Sequence, residues 1–171
     1  MTNEVEVAAD NGVEHREDGK QFLAFLLAGE EYAVDILKVQ EIKSWGPVTP
    51  IPASPDYMRG IINLRGTVVP VIDLRLRFGL TSKDADLTTA VIIARASSDK
   101  KERYVGLVVD EVADVYFLNE TEIQERKDVS GAISGEYVQG LSQVKDQMVI
   151  VVDLDLIVHS SLVDFEDEEA A

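Results

Sequence analysis

Residues 57–76 read YMRGIINLRGTVVPVIDLRL, and residues 137–156, eighty positions later and without a gap, read YVQGLSQVKDQMVIVVDLDL. The tyrosine, the glycine, two valines, the aspartate and two leucines coincide, and most of the other apolar positions stay apolar. Upstream, residues 39–42 (VQEI) are echoed by residues 112–115 (VADV). A repeat of this size indicates two similar lobes that share a core.

Each copy has the pattern of a β-hairpin followed by a capped helix. The turns are predicted at Arg65-Gly66 in the first copy and at Lys145-Asp146 in the second. Asp73 and Asp153 are predicted N-caps, the first of a short helix and the second of a terminal helix whose apolar stripe packs on the lobes. Because Pro70 lacks an N–H group, its strand is expected to be an edge strand or bulged.

The rest of the chain is rich in short apolar runs separated by turn residues. Further strands are predicted over residues 21–28, 31–36, 90–96 and 103–109, and residues 112–118 form another short apolar segment. Residues 46–55 hold four of the five prolines and predict an extended connection. Residues 38–43 are expected to form one helical turn, and the polar excursion 119–136 is expected to be mobile. Many short strands and few helices predict an all-β sandwich or a pair of barrels.

Charge divides the 171-residue chain into three parts. We expect an acidic, disordered N-terminal tail over residues 1–20, a folded domain over residues 21–163 and an acidic C-terminal tail over residues 164–171. Within the folded part, residues 20–79 carry a net charge of +1 and residues 80–163 carry −7. This asymmetry would let two different partners choose two different lobes.

Composition excludes several classes of function. The chain has no Cys and two distant His, so we expect no metal or other cofactor. Without a concentrated cationic face, nucleic acid is not an expected partner. The start has no secretion signal, and no apolar run reaches the roughly 20 residues needed to span a bilayer. We therefore expect a cytoplasmic protein that does not insert directly into a membrane.

The sequence offers one remote catalytic alternative. Asp73 and Asp153 occupy matching positions of the repeat, as paired carboxylates of a small β-barrel hydrolase would. Helix N-caps explain both residues without any further assumption. Since no nucleophile, base and orienting group can be identified together, the sequence favours a binding protein over an enzyme.

Residues 32–42 (YAVDILKVQEI) followed by residues 60–75 (GIINLRGTVVPVIDLR) closely resemble the bacterial chemotaxis coupling (adaptor) protein family, CheW. The resemblance runs from residue 21 to residue 162 and includes residues 105–110 (VGLVVD). It implies two SH3-like five-stranded β-barrel lobes packed around a shared apolar core. It also implies an adaptor without catalytic activity.

The resemblance implies partners and a location as well. Adaptors of this family bind the cytoplasmic tip of chemoreceptors and the regulatory domain of the histidine kinase CheA, so that receptor ligand state controls kinase autophosphorylation. We expect recruitment to receptor arrays at the inner face of the membrane, with self-association in those arrays as a further expectation. A coupling protein of the same fold that serves a non-flagellar chemosensory pathway is the alternative.

Family residues carry over where the motif matches. The resemblance implies a receptor contact made by Val39, Glu41, Ile42, Asn63, Arg65 and Gly66. Each position also has a structural explanation: Val39 and Ile42 suit a core, Glu41 suits a solvated surface and Arg65-Gly66 suits a hairpin turn. The motif does not assign the kinase-contact residues one by one, so they stay unknown.

Overall fold

The computed structural model describes residues 19–98, 101–125 and 135–170 of the chain. Within them, ten strands form two five-stranded sheets, accompanied by two α-helices. The strands are β1 (Gly19–Leu27), β2 (Glu30–Asp35), β3 (Val39–Ser44), β4 (Met58–Leu64), β5 (Thr67–Asp73), β6 (Ala90–Ser98), β7 (Lys101–Val109), β8 (Glu111–Asn119), β9 (Val138–Val144) and β10 (Gln147–Val152). The helices are α1 (Leu74–Arg77) and α2 (Leu154–Ala170), and 3-10 turns lie at Ile36–Lys38, Glu120–Glu122 and Gly135–Tyr137.

The two sheets exchange hairpins between the halves of the sequence. The first lobe has the strand order β3-β6-β7-β5-β4, and the second lobe has the order β8-β1-β2-β10-β9. Two five-stranded lobes are therefore confirmed, but their assignment to consecutive halves of the chain is wrong. Because β2 pairs in parallel with β10, the β1–β2 hairpin from the first half of the chain lies in the second lobe. Because β5 pairs in parallel with β7, the β6–β7 hairpin from the second half lies in the first lobe.

This exchange changes the charge of each lobe. Residues 39–109, which span the first lobe, hold ten bases and seven acids and have a net charge of +3. Residues 19–38 and 110–153, which span the second lobe, hold five bases and thirteen acids and have a net charge of −8. The charge asymmetry between lobes is thus larger than the sequence halves indicated.

Each sheet closes into a barrel through the segment that follows its edge strand. In the first lobe, Thr49 and Ile61 exchange two backbone hydrogen bonds of 2.9 Å. In the second lobe, Gln124 and Leu141 exchange bonds of 2.7 and 2.8 Å. The closing segment passes directly over the glycine of the repeat, which explains why Gly60 has a counterpart at position 140.

Strand β6 shows how one apolar run builds two cores. Val91 and Ile93 point into the interior of the first barrel, whereas Ile92 and Ala94 belong to the core shared by both lobes. Successive side chains of a strand point to opposite faces, so a strand buried on both faces must be apolar at every position. The shared core also takes buried residues from β1, β2 and α2, as the repeat predicted.

The hairpin turns and helix caps follow the sequence closely. Arg65-Gly66 and Lys145-Asp146 both have positive φ at their two positions, as a type I′ turn requires. The Asp73 carboxylate accepts the Arg75 N–H at 2.9 Å, and the Asp153 carboxylate accepts the Leu156 N–H at 3.1 Å. Both turn predictions and both cap predictions are confirmed.

Strand β5 corrects the expectation for Pro70. The strand lies inside its sheet, between β7 and β4, and is not an edge strand. Pro70 pairs with Ile61 on one side, while the parallel pairing with β7 begins at Val71. The missing N–H group is tolerated because no ladder bond to β7 is required at that position.

Helix α2 packs on both lobes and extends into the acidic C-terminal stretch. Leu154, Ile157, Val158, Ser161 and Leu162 are buried, whereas the Phe165 side chain lies outside the described part. The helix continues to Ala170 and so includes most of the C-terminal acidic stretch. Strand β1 begins at Gly19, inside the expected N-terminal tail. Half of the polar excursion 119–136, residues 126–134, lies outside the described residues, so its expected mobility stays a prediction.

An ion pair ties the lobes together where the chain crosses between them. Arg75 donates to both carboxylate oxygens of Asp110, at 2.7 Å each, and the Ala28 N–H donates to the same carboxylate at 2.8 Å. Burial raises the pKa of Asp110, but the hydrogen bonds from Arg75 and Ala28 and the Arg75 charge outweigh burial, so the pKa lies below its usual range. The ionised form is therefore the one that stabilises the folded protein.

We expect Asp110→Asn to lower the free energy of unfolding by about 2 kcal/mol at pH 7, because a charge-assisted clamp is lost. A carboxyl whose pKa is depressed on folding stabilises above its unfolded pKa of about 3.9 and loses this effect as pH falls through the folded pKa. The difference in free energy of unfolding between the variant and the unmodified protein should therefore become smaller below about pH 4. Urea unfolding at pH 7 and below about pH 4 measures this difference, with the exposed Asp56→Asn as the control. Equal stability of the two variants at pH 7 would refute the clamp.

Candidate protein-interaction site

Strand β3 lies at an edge of the first lobe and carries three of the six residues implied by the resemblance. It follows the 3-10 turn Ile36–Lys38, where the Asp35 carboxylate accepts the Leu37 N–H at 2.9 Å. The helical turn expected over residues 38–43 is therefore wrong, since Val39–Ser44 pairs antiparallel with β6. The strand forms because its backbone pairs with β6. This pairing joins residues that are far apart in the chain, so the local sequence pattern does not indicate it.

A register shift between Val39 and Glu41 marks a bulge in β3. Such irregularities re-aim the side chains of an edge strand. Val39 is half-buried and packs against the shared core, which agrees with its structural explanation. Ile42, in contrast, is 46% exposed, which is unusual for an isoleucine that serves only to fill a core.

The β4–β5 turn brings the other candidate residues to the same surface. The Asn63 side chain accepts the Gly66 N–H at 2.9 Å and so braces the turn from inside. Arg65 has a φ of 51° and reaches across to β3, where its Nη2 atom forms an ion pair with Oε2 of Glu41. The structure thus places Glu41, Asn63, Arg65 and Gly66 together, with Val39 and Ile42 beside Glu41 on the same strand.

The Glu41–Arg65 pair contributes little to the stability of the fold. The Arg65 side chain is 68% exposed, and exposed ion pairs contribute about 1 kcal/mol or less. The left-handed backbone at Arg65 costs about 1 to 2 kcal/mol relative to a glycine. Two opposite charges are therefore held at the surface beside a fixed hairpin turn, where a partner can reach them.

An open groove of about 340 Å³ lies between the lobes and is lined by Ile42, the residue that follows Glu41 in β3. We call it the inter-lobe groove; its lining residues are Ile42, Lys43, Ser44, Leu87, Thr88, Thr89, Ala90, Glu111 and Val112. Its apolar members come from β3, the start of β6 with the loop before it, and the start of β8. Sequence reasoning named none of Leu87, Ala90 and Val112 as a site residue.

A second, smaller pocket of about 250 Å³ lies beside Arg65. Its lining residues are Gln40, Leu64, Arg65, Thr67, Val69 and Tyr104. Gln40 belongs to this pocket, whereas Ile42 belongs to the inter-lobe groove, so β3 contributes a residue to each depression. Two depressions lined by one strand offer a protein partner more than one place for an anchoring side chain.

The carboxylates of the hydrolase alternative are occupied by structural contacts. Asp73 is buried, caps α1 and forms an ion pair of 3.0 Å with Arg59. Asp153 caps α2. Since each carboxylate accepts hydrogen bonds from the helix it begins, the structure gives neither one a catalytic arrangement.

Comparison with known proteins matches residues 21–162 to the CheW-like domain. The chain belongs to the CheW-like family. It is 40% identical over 142 residues to the chemotaxis protein CheW of Klebsiella aerogenes, covering 83% of each chain. It is 33% identical to the chemotaxis protein CheW of Rhizobium meliloti, covering 90% of this chain and 93% of the relative.

A solved structure of the same family has the same fold. The crystal structure of the scaffolding protein TtCheW from Thermoanaerobacter tengcongensis superposes with a TM-score of 0.71 at 34% identity, covering 81% of this chain and 86% of that one. Both the recognition of the family and the two-lobed β fold are therefore confirmed. As a member of the CheW-like family, the chain is a chemotaxis scaffold, and the family is one of non-catalytic adaptors.

Within the described residues, no helix is both long enough and apolar enough to cross a membrane.

Proposed function

We propose that this CheW-like protein couples chemoreceptors to the histidine kinase CheA in the cytoplasm, at receptor arrays on the inner face of the membrane. The observation that carries the proposal is the exposed Ile42 in the inter-lobe groove, next to the Glu41–Arg65 pair. A receptor tip would bind there through Val39, Glu41, Ile42, Asn63, Arg65 and Gly66. The kinase would bind elsewhere on the lobes.

The groove suits a helical partner. An amphipathic helix binds in a groove through apolar side chains that lie one turn apart on the helix, and charges at the rim of the groove fix its orientation. Ile42, Ala90 and Val112 provide an apolar floor, and Lys43 and Glu111 provide charges of opposite sign. Interfaces commonly combine an apolar centre with a polar rim in this way.

The unequal lobes support simultaneous binding of two partners. A first lobe with a net charge of +3 and a second lobe with −8 present different fields to approaching proteins. Charge complementarity selects among partners and increases their rate of encounter. One adaptor could thus hold a receptor and a kinase at once without competition for a single surface, and neighbouring adaptors could associate in the same array.

Co-sedimentation tests the coupling function directly. Receptor-bearing membranes and purified CheA are mixed with and without this protein, and ATP-dependent autophosphorylation is measured in the pellet. We expect the protein to bring the kinase into the pellet and to raise its autophosphorylation rate, and we expect an attractant to lower that rate again.

Ile42→Asp should abolish recruitment of the protein to receptors in the same assay, because a buried carboxylate without a partner is strongly unfavourable at an interface.

The coupling function is contradicted by unchanged kinase recruitment and activity with cognate receptor and kinase. Asp73→Ala tests the capping role. We expect this variant to be fully active in the same assay, while its free energy of unfolding in urea is lower by about 1 kcal/mol, the usual cost of a lost helix cap.

A further inference from the structure

Leu87 is the most exposed large apolar residue on the described surface, with 102% relative exposure. It lies in the connection between α1 and β6 and lines the inter-lobe groove opposite β3. Burial of a leucine side chain is favourable relative to its exposure to water. Leu87 has none of this gain in the free protein and would obtain it only when a partner covers the groove.

The loop that carries Leu87 is held by hydrogen bonds on both sides of the residue. The Asp86 carboxylate accepts the Thr88 N–H at 2.8 Å and the Thr88 hydroxyl at 2.7 Å. The Asp86 N–H donates to the Thr89 hydroxyl at 2.9 Å, and the Thr89 N–H donates back to the Asp86 carbonyl at 3.2 Å. Leu87 therefore stands on a short, closed turn, not on a loosely tethered segment.

Two further contacts anchor this turn to the rest of the molecule. Thr89 is buried, and its carbonyl accepts the Trp45 N–H at 3.2 Å, which connects the turn to the end of β3. The Thr88 hydroxyl lies 3.1 Å from the carbonyl oxygen of Asp110, at the crossing between lobes. The hydrogen bonds from the Thr88 hydroxyl and N–H hold the pKa of Asp86 well below its usual range, so the turn keeps its charge-assisted bonds at neutral pH.

We propose that Leu87 is a preorganised anchor that selects the helical receptor tip lying in the inter-lobe groove. We make this inference on the basis of the proposed coupling function, since Ile42 of the implied receptor contact lines the same groove. The partner helix would place one apolar side chain against Leu87 and another, one turn away, against Ile42 and Val112. Its flanking charges would be acidic near Lys43 and basic near Glu111.

A fixed, fully exposed leucine favours such a role for a thermodynamic reason. Ordering a flexible loop on binding costs free energy, and this cost is avoided when the loop is already held in place. Burial of a side chain that is wholly solvated in the free protein gives the largest gain per residue. Leu87 combines both conditions, whereas Ile42 and Val112 are partly shielded before any partner arrives.

The first test measures binding of the full chain to a purified cytoplasmic-tip fragment of a chemoreceptor from the same organism, without the kinase. We expect Leu87→Ser to raise Kd about tenfold, since loss of a buried anchor has effects of this order. Leu87→Met should stay within about threefold, because it keeps the apolar contact. Asp86→Ala should raise Kd as well, because it releases the turn without removing the leucine.

Met148→Ser is the matched control, because Met148 is also exposed but lies on the β10 hairpin of the second lobe, away from the groove. Unchanged circular dichroism spectra would establish that each variant is folded. Wild-type affinity of Leu87→Ser, together with weakened binding of Ile42→Asp, would overturn the role of Leu87 and leave the coupling function standing. Failure of the unmodified protein to bind the fragment would overturn both.

A second measurement reports contact without relying on affinity. Because the chain has no cysteine, Leu87→Cys introduces its one thiol, and the receptor fragment can be given a single cysteine at successive positions along the tip. We expect disulfide cross-links at positions one helical turn apart, and none from Met148→Cys. Equal cross-linking from the two positions would contradict the proposal.

Discussion

Charge reversal at Glu41 or at Arg65 should weaken binding of the receptor tip about 30-fold, which corresponds to about 2 kcal/mol, while the fold stays intact. The fold tolerates the change because the pair is exposed and contributes little to stability. Binding does not tolerate it, because a partner that covers β3 and the β4–β5 turn removes water from the new like-charge contact. Titration of Glu41→Lys and Arg65→Glu with the receptor fragment measures the loss.

The double exchange Glu41→Arg with Arg65→Glu separates two explanations. If the receptor tip contacts each charge directly, the ion pair re-forms within the exchanged protein but binding of the receptor tip stays weak. Restored binding would mean that the pair acts only by holding the turn against β3. The Arg95–Glu102 pair, separated by 3.7 Å on the β6–β7 hairpin, provides the matched control. Wild-type affinity in folded Glu41→Lys and Arg65→Glu variants would rule out this surface as the receptor contact.

Gly60→Ala should lower the free energy of unfolding by about 3 kcal/mol or more. An added Cβ atom would lie 2.3 Å from the Thr49 carbonyl oxygen and 2.7 Å from the Thr49 carbonyl carbon, both of them backbone atoms. The φ of Gly60 is +145°, which other residues rarely adopt. The methyl group would therefore push away the segment whose hydrogen bonds with Ile61 close the first barrel.

Two other glycines define the comparison. Gly46→Ala meets no atom within 4 Å and should change the stability by about 0.5 kcal/mol or less. Gly140→Ala would place its Cβ atom 2.6 Å from the Gln124 carbonyl oxygen and should destabilise the second lobe in the same manner. Urea unfolding of the three variants measures the differences. Similar midpoints for Gly60→Ala and Gly46→Ala would refute the close approach.

The hairpin exchange marks the limit of the repeat as a guide to topology. The repeat correctly predicts two lobes, their hairpins and their caps, because these features depend on residues that are close in the sequence. It does not predict that β1 and β2 join β8, β9 and β10. That choice depends on the parallel pairing of β2 with β10 and of β5 with β7, which joins strands far apart in the chain. The position of Pro70 inside the sheet depends on the same pairing of β5 with β7, so the sequence did not indicate it.

The elements that follow local rules were predictable from the amino-acid sequence. Short apolar runs indicate the strands, Arg65-Gly66 and Lys145-Asp146 set the turns, and Asp73 and Asp153 begin the helices. The resemblance to the CheW family then supplied the fold and a list of candidate contacts.

The assembly of the candidate surface depends on contacts between residues that are far apart in the chain. Glu41 and Arg65 lie 24 residues apart in the chain and meet because the first sheet closes into a barrel. Ile42, Leu87 and Val112 share one groove because the lobes pack side by side. Local patterns act over a few residues through backbone conformation and burial, whereas this surface depends on which distant strands become neighbours.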